Sequence, residues 1–83
     1  MKFDHRMVQN YLELIEDSNP VHDEIVPGQL VCEWLLHNVE WNSFKIKYKQ
    51  PISINEKLYK EEQETLIRCS NSEGVTKIEI MKC

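Results

Sequence analysis

The amino-acid sequence predicts an α+β domain in which an antiparallel sheet wraps around one buried helix. Two observations lead to this prediction. Apolar residues recur with helical spacing up to about residue 39, and from Asn42 onward they alternate with polar residues at every second position. The chain has 83 residues, and a domain of this size is marginally stable unless a disulfide, a metal or a partner subunit supports it. We therefore expect a single domain over residues 1–83.

The first predicted helix is short, amphipathic and begins after Asp4. Asp4 is a suitable N-cap, and Phe3 and Val8 have the spacing of a hydrophobic staple. Pro20 ends the helix, because the residue before a proline avoids helical geometry. The apolar positions with helical spacing are Phe3, Met7, Val8, Tyr11, Leu12 and Ile15.

The second predicted helix is the buried centre of the domain. It begins at Pro27 or Gly28, since proline is favoured at the first helical position. A helix that is apolar over most of its circumference is normally buried against several neighbours. The apolar residues are Leu30, Val31, Cys32, Trp34, Leu35, Leu36 and Val39. The polar exceptions, four residues apart on one narrow stripe, are Gln29, Glu33 and His37.

The rest of the chain predicts three or four antiparallel strands. The first has Phe44, Ile46 and Tyr48 alternating with polar residues, and Pro51 bends the chain after it. The others are expected at 52–59, at 64–69 and after the hairpin signal at 71–74, the last with Thr76, Ile78 and Ile80 on one face. The acidic run 61–64 is expected to be an exposed turn. Two sheet edges would remain open, and pairing two sheets edge to edge in a symmetric homodimer would remove one of them.

Charge and hydropathy exclude several classes of protein. The net charge of −4 provides no broad basic surface for nucleic-acid phosphates. The basic run Lys45, Lys47 and Lys49 alternates with apolar residues, which favours a solvated strand face. No apolar stretch approaches the roughly 20 residues of a membrane span, and the first residues lack the apolar core of a signal peptide. We expect a soluble, cytoplasmic protein without nucleic-acid or membrane partners.

The cysteines predict neither a disulfide framework nor a metal site. Cys32, Cys69 and Cys83 are odd in number and widely spaced, without a C-x-x-C pair. Cys32 falls in the apolar helical pattern and is expected to be a small core residue. Cys83 is expected to be exposed and oxidisable.

A candidate acid–base pair precedes the second helix. Asp17 and His22 are five residues apart across an Asn-Pro turn, so their side chains can converge on one small volume. A carboxylate and an imidazole can together transfer protons near neutral pH. Two plainer interpretations stay open: Asp17 ends the first helix, and His22 is an ordinary loop histidine.

The start of the second helix offers a hydrogen-bond donor. The backbone N–H of Gly28 would be unpaired at the positive end of the helix dipole, where it can stabilise a carbonyl oxygen that gains charge. Glu33 would be a carboxylate about one and a half turns later. Alternatively, Gln29, Glu33 and His37 are simply the solvated stripe of the helix.

These two segments resemble motifs of one fold family. The run from Asp17 to His22 looks like the D-x-N-P-x-H motif of MaoC-like dehydratases, the (R)-specific enoyl-CoA hydratases. The run from Pro27 to Glu33 is similar to the P-G-x-L-x-x-E helix start of beta-hydroxyacyl-ACP dehydratases. Residues 44–56, with Pro51, look like the R-F-x-x-P-V-x-x-G-D strand and turn of these families. Both families have hotdog folds, in which an antiparallel sheet wraps a long central helix and dimers share an extended sheet.

The resemblance implies a hydratase or dehydratase acting on acyl thioesters. Asp17 and His22 would handle the water and the proton in the MaoC-like scheme, with Asn19 part of the same substrate-binding motif. His22 and Glu33 would do so in the dehydratase scheme, from opposite subunits of a homodimer. Gly28 N–H would polarise the thioester carbonyl in either scheme. The substrate would be carried on coenzyme A or acyl carrier protein, and no bound cofactor or metal would be needed.

The sequence also departs from the family patterns. Pro27-Gly28 stands where MaoC-like chains usually have His-Gly, and Asn55-Glu56 replaces Gly-Asp. The segment 23–26 is shorter than its counterpart, and no strand precedes the first helix. The expectation is thus a minimal, truncated hotdog domain, and these differences bear on the depth of its substrate pocket and on turnover. Two other functions stay open: a non-catalytic module that binds acyl thioesters or acyl carrier protein, and a thioesterase that activates water with Glu33 or Asp17.

Overall fold

A computed structural model describes residues 1–15 and 24–83 of the chain. These residues form one antiparallel sheet with the strand order β1-β4-β3-β2, together with two helices. The prediction of an α+β fold with an antiparallel sheet is therefore confirmed. In chain order the elements are α1 (His5–Leu14), α2 (Gly28–Leu35), β1 (Phe44–Tyr48), β2 (Leu58–Glu62), β3 (Leu66–Asn71) and β4 (Thr76–Lys82).

Helix α1 begins as its sequence predicts. The side chain of Asp4 accepts a hydrogen bond from the backbone N–H of Met7 at 2.8 Å, which satisfies one of the free donors of the first turn. Phe3 and Val8 are both buried, as a hydrophobic staple requires. The ring of Phe3 also meets Trp34 edge to face, with 6.1 Å between the ring centroids, and this contact links the start of α1 to α2.

Helix α2 begins at the predicted residue but ends earlier than the apolar pattern indicates. It stops at Leu35 rather than near Val39. Asn38 has a φ of 65°, a left-handed conformation that asparagine adopts more readily than other side chains and that cannot continue the helix. Val39 and Trp41 still pack against the core from the loop that follows.

The predicted bounds of the second and third strands are wrong, the third running over Leu66–Asn71 rather than 64–69. Residues 52–57 form a loop rather than the first part of a strand, and the strand runs over Leu58–Glu62 instead. The acidic residues Glu61 and Glu62 accordingly belong to β2 and not to a turn. An edge strand with one solvated face accommodates such polar residues. Ile52, which gave the predicted strand its apolar start, is buried although it lies in a loop.

The core lies against one face of the sheet. Ile67 is paired with Ile80, and Cys69 with Ile78, and all four side chains are buried. Burial of side chains like these is the main stabilising contribution in a domain of this size. The core cluster is completed by Phe3, Val8, Tyr11, Leu12, Val26, Val31, Cys32, Leu35, Ile52 and Leu58.

The opposite face of the sheet is charged. Glu79, in β4, lies 2.9 Å from the ammonium of Lys49 and 3.2 Å from the guanidinium of Arg68. Arg68 in turn lies 3.3 Å from Glu61 on β2. The sheet thus has one apolar and one solvated face, as antiparallel sheets commonly do.

The two edges of the sheet differ. At the β2 edge, the backbone of Leu58 is paired with Met1: the amide of Leu58 donates to Met1 O at 2.8 Å, and the amino group of Met1 donates to Leu58 O at 3.0 Å. At the β1 edge, Phe44–Tyr48 have no neighbouring strand among the described residues other than β4.

Candidate functional site

A cavity of about 300 Å³ lies at the N-terminal end of α2. Its walls come from residues 25–28, from 48–52 and from Ile78 of β4. Most of these side chains are apolar, while Tyr48, Lys49 and Gln50 supply the polar groups. A concave, largely apolar space with a few polar groups is the usual form of a small-molecule site.

Gly28 places a free backbone donor at this cavity. Its amide N–H has no acceptor among the described residues, whereas the amides of Leu30 and Val31 donate to Pro27 O at 3.1 Å and 3.4 Å. The first amides of a helix also carry the positive end of its dipole. The Gly28 amide, at a residue that lines the cavity, is therefore a candidate donor to a carbonyl oxygen or an anion.

The ring of Tyr48 lies directly against Gly28. A Cβ atom at position 28 would overlap this ring and come within 2.9 Å of its Cδ1 atom, so a side chain here requires the ring to move. The hydroxyl of Tyr48 accepts a weak hydrogen bond from the Cys32 thiol at 3.7 Å. Desolvation, with Cys32 as the next cause, raises the pKa of Tyr48 to about 12.

Helix α1 contacts the same end of α2. The hydroxyl of Tyr11 donates to the side-chain carbonyl of Gln29 at 3.2 Å. Tyr11 is buried although it carries this polar group, and the hydrogen bond offsets the cost of its burial. The first turn of α2 thus contacts Tyr11 through Gln29 and Tyr48 through Gly28.

The segment before α2 pairs with the loop that follows β1. The Val26 amide donates to Ile52 O at 2.8 Å, and the Ile54 amide donates to Glu24 O at 3.1 Å. An isolated antiparallel bridge joins Ile25 to Ser53 between them. Two walls of the cavity are therefore fixed to each other by backbone hydrogen bonds.

Glu56 anchors this loop to the sheet. Its carboxylate accepts hydrogen bonds from the Ser53 amide at 2.9 Å and from the Asn71 side chain at 3.0 Å, and lies 3.1 Å from the Lys77 ammonium. Lys77 also donates to Pro51 O at 2.9 Å. Partial burial alone would raise the pKa of Glu56, but the hydrogen bonds and the Lys77 charge outweigh it and lower the pKa.

The candidate residues are not all brought together. Gly28 lines the cavity, whereas Glu33 is exposed and does not line it. Gln29 and His37 are exposed as well, so the three polar residues of α2 and the following turn form a solvated stripe. Asp17, Asn19 and His22 lie outside the described residues.

Sequence reasoning missed the contribution of residues 48–52. Tyr48 fitted the alternation of a strand and gave no separate signal of its position over Gly28. Lys49 and Gln50 carried no motif. The one local hint is Pro51, shortly after β1. A proline there indicates that the chain leaves the strand, and this segment closes over the start of α2.

Comparison with known proteins does not assign this site. No protein-family model matches the chain, and no curated protein matches it significantly. In the part of the chain that the structure describes, no group of three or more metal-ligating side chains is found. No helix within residues 1–15 and 24–83 is long and apolar enough to cross a membrane.

Proposed function

We propose that this protein is a minimal hotdog domain that interconverts (R)-3-hydroxyacyl and enoyl thioesters carried on coenzyme A or acyl carrier protein. The observation that carries the proposal is the cavity that begins at Gly28. Its apolar walls suit a short acyl chain, and the free Gly28 amide suits the thioester carbonyl.

The chemistry follows from the polarised thioester. A hydrogen bond from Gly28 N–H to the carbonyl oxygen stabilises the negative charge that develops there when water adds to C3 of the enoyl chain. A general base takes a proton from that water, and a general acid delivers a proton to C2; dehydration runs these steps in reverse. The motif resemblance assigns these roles to Asp17 and His22, or to His22 and Glu33. The thioester itself acidifies the C2 proton, so the scheme needs no cofactor.

The loop after β1 gives the resemblance separate support. Asn55-Glu56 occupies the place of Gly-Asp in the family pattern. Asn55 has a φ of 67°, the left-handed conformation that glycine adopts most easily and asparagine next. Glu56 supplies the carboxylate, which is fully engaged in anchoring the loop. At these two positions the chain thus supplies a residue in the left-handed conformation and an acidic group.

The proposal includes a homodimer that pairs the β2 edges. Leu58 is already paired with Met1, so residues 60–62 are the part of this edge that has no partner in the described part of the chain. Antiparallel pairing can place Lys60 of each copy opposite Glu62 of the other, which is a favourable cross-strand pair. In the dehydratase scheme, such a dimer would also let Glu33 of one copy serve the cavity of the other.

A second candidate is a non-catalytic module that binds acyl thioesters or acyl carrier protein. The exposed position of Glu33 favours it, because that carboxylate does not line the cavity of its own chain. In this candidate the cavity and the Gly28 amide hold the thioester, and no residue acts on C2 or C3. A hotdog thioesterase is the remaining alternative.

The deciding experiment incubates the purified protein with short and medium enoyl-CoA esters. Loss of the conjugated enoyl absorbance follows hydration, a thiol reagent follows hydrolysis, and calorimetry follows binding of the ester. The variant His22→Ala is compared with the matched variant His37→Ala, since His37 is exposed in the turn after α2. The free energy of unfolding of each variant is measured in parallel.

Each outcome selects one function. Hydration that is lost in His22→Ala and retained in His37→Ala supports the hydratase. Release of free thiol supports the thioesterase. Binding without either signal supports the non-catalytic module, and absence of binding rejects all three.

A further inference from the structure

Within residues 1–15 and 24–83, the edge strand β1 presents a row of free backbone hydrogen-bonding groups. The Lys49 amide donates to Lys77 O at 2.8 Å, and the Cys83 amide donates to Ser43 O at 3.0 Å, so the odd-numbered residues of this strand face β4. In antiparallel pairing the alternate residues face the other way. The backbone groups of Phe44, Ile46 and Tyr48 therefore point away from the sheet.

The side chains of β1 give this edge two different faces. On the core side, Phe44 is 38% exposed and Tyr48 is 56% exposed. On the solvated side, Lys45 and Lys47 are exposed and form no ion pair among the described residues, whereas Lys49 is paired with Glu79 at 2.9 Å. The edge is therefore apolar on one face and positively charged on the other.

The lysines disfavour pairing of β1 with a second copy of itself. If the apolar face and the charged face are each to continue from one copy into the other, an odd-numbered residue of one β1 must lie opposite an odd-numbered residue of the other. Antiparallel pairing centred on Ile46 then places Lys45 opposite Lys47 of the other copy, and a shift of register places Lys45 or Lys47 opposite its own counterpart. Like charges directly opposite each other destabilise a sheet.

A strand with alternating acidic and apolar residues complements both faces of the same edge. Asp or Glu at every second position would lie opposite Lys45 and Lys47, and apolar residues between them would cover Phe44 and Tyr48. Backbone hydrogen bonds to the free edge would supply affinity largely independent of side chains. Because the chain as a whole has a net charge of −4, this strand is a local exception to its surface charge.

We propose that β1 is a docking edge for an extended acidic segment of another protein, which adds a fifth strand to the sheet beside Phe44–Tyr48. The partner segment alternates acidic and apolar residues and runs antiparallel to β1. Tyr48 belongs both to this edge and to the wall of the cavity, but the proposal does not depend on the thioester chemistry.

The test titrates the isotope-labelled protein with capped peptides of about seven residues, the length of a typical strand. One peptide alternates Val and Glu, a second alternates Val and Lys, and a third is the Val–Glu peptide N-methylated at alternate amides. We expect amide resonance shifts at Phe44, Ile46 and Tyr48 with the first peptide alone. Binding should weaken as salt is added, because exposed charge pairs are screened.

Charge reversal provides the matched comparison. The double variant Lys45→Glu/Lys47→Glu should bind the Val–Glu peptide about tenfold more weakly and should prefer the Val–Lys peptide. The control Lys2→Glu/Lys57→Glu changes the net charge equally at exposed positions outside β1 and should retain the affinity of the unaltered protein.

Several results would overturn the proposal. These are equal binding of the acidic and basic peptides, unchanged binding after N-methylation, and shifts confined to the β2 edge or to the cavity. Shifts at the β1 amides that depend on protein concentration without any peptide would likewise overturn it, because they would show that a second copy occupies this edge.

Discussion

The aromatic ring of Tyr48 lies against the backbone of Gly28, so closely that no side chain fits at position 28 unless the ring moves. This relationship joins the edge strand β1 to the first turn of α2 and forms one wall of the cavity. A shift of the Tyr48 ring would therefore change both the packing at the start of α2 and the shape of the cavity.

Substitution of Gly28 should destabilise the protein through Tyr48. We expect Gly28→Ala to lower the free energy of unfolding by about 1 kcal/mol, since the half-exposed ring can rotate away but loses its packing. In a Tyr48→Ala background the same substitution should have almost no effect. Urea denaturation of the unaltered protein, the two single variants and the double variant gives the free energy of unfolding in each background. An equal decrease in both backgrounds would show that the Tyr48 ring is not the cause.

The environment of Tyr48 also predicts a titration. Absorbance of the phenolate should show a tyrosine that ionises at about pH 12, and this ionisation should disappear in Tyr48→Phe. Because the pKa is raised on folding, the contribution of this group to stability is present below its unfolded pKa of about 10 and is lost as pH rises toward 12. Gly28→Ala should lower this pKa, since a displaced ring leaves Cys32.

The carboxylate of Glu56 should stabilise the loop that walls the cavity. We expect Glu56→Gln to lower the free energy of unfolding at neutral pH by about 1–3 kcal/mol, because a mostly buried ammonium, that of Lys77, loses its partner. Glu73→Gln, at an exposed position of the hairpin turn, is the matched control and should cost less than about 0.5 kcal/mol.

This effect should depend on pH in a defined direction. The folded-state pKa of Glu56 is lowered, so its contribution is present above the unfolded pKa of about 4.5 and is lost as pH falls through the folded value. The difference between the unaltered protein and Glu56→Gln should therefore shrink in acid. A difference that stays constant between neutral pH and about pH 3 would contradict the ion pair as its source.

Two isoleucines paired across neighbouring strands should differ in their cost of truncation. Ile46 of β1 lies opposite Ile80 of β4, but Ile80 is fully buried and Ile46 only partly. Ile80→Ala should cost about 2–5 kcal/mol and Ile46→Ala clearly less, because a buried cavity remains only in the first case. Since an 83-residue domain has roughly 4–12 kcal/mol of stability, Ile80→Val is the variant to measure if Ile80→Ala does not fold.

A bulky side chain at the rim of the cavity should block ligands without unfolding the protein. Gln50 is exposed and lines the cavity, so Gln50→Trp should weaken the binding of an acyl-CoA ester at least about tenfold. Gln63→Trp is a matched control in the exposed turn between β2 and β3. Equal affinity of the two variants, measured by calorimetry, would indicate that acyl-CoA does not enter this cavity.

Local signals made the ends of the helices partly predictable from the sequence. Asp4 and Pro27 act within one turn of their own positions, and both helices begin where these residues place them. The end of α2 was not predictable from hydropathy, because the apolar pattern continues past Leu35 while the helix ends there, with a left-handed Asn38 three residues later. Residues such as Val39 are apolar because they pack on the core, whatever their secondary structure.

The wrong strand boundaries and the missed position of Tyr48 both result from tertiary contacts that a local sequence pattern does not contain. Ile52 has the apolar character of a strand residue, yet it is buried from a loop that Glu56 and Lys77 hold in place. The placement of Tyr48 over Gly28 depends on strand order, which no local pattern encodes. Gly28 itself was predictable, since a helix start leaves its amide free wherever the helix packs.

The distribution of cysteines means that the protein carries its own reporters of unfolding. Cys83 is exposed, whereas Cys32 lies in the helical layer and Cys69 in a central strand of the sheet, and burial raises the pKa of both of these thiols. An alkylating reagent will modify Cys83 at once and will reach the two others only when their layers open. A difference between the rates for Cys32 and Cys69 would therefore separate detachment of α2 from opening of the sheet, without any engineered label.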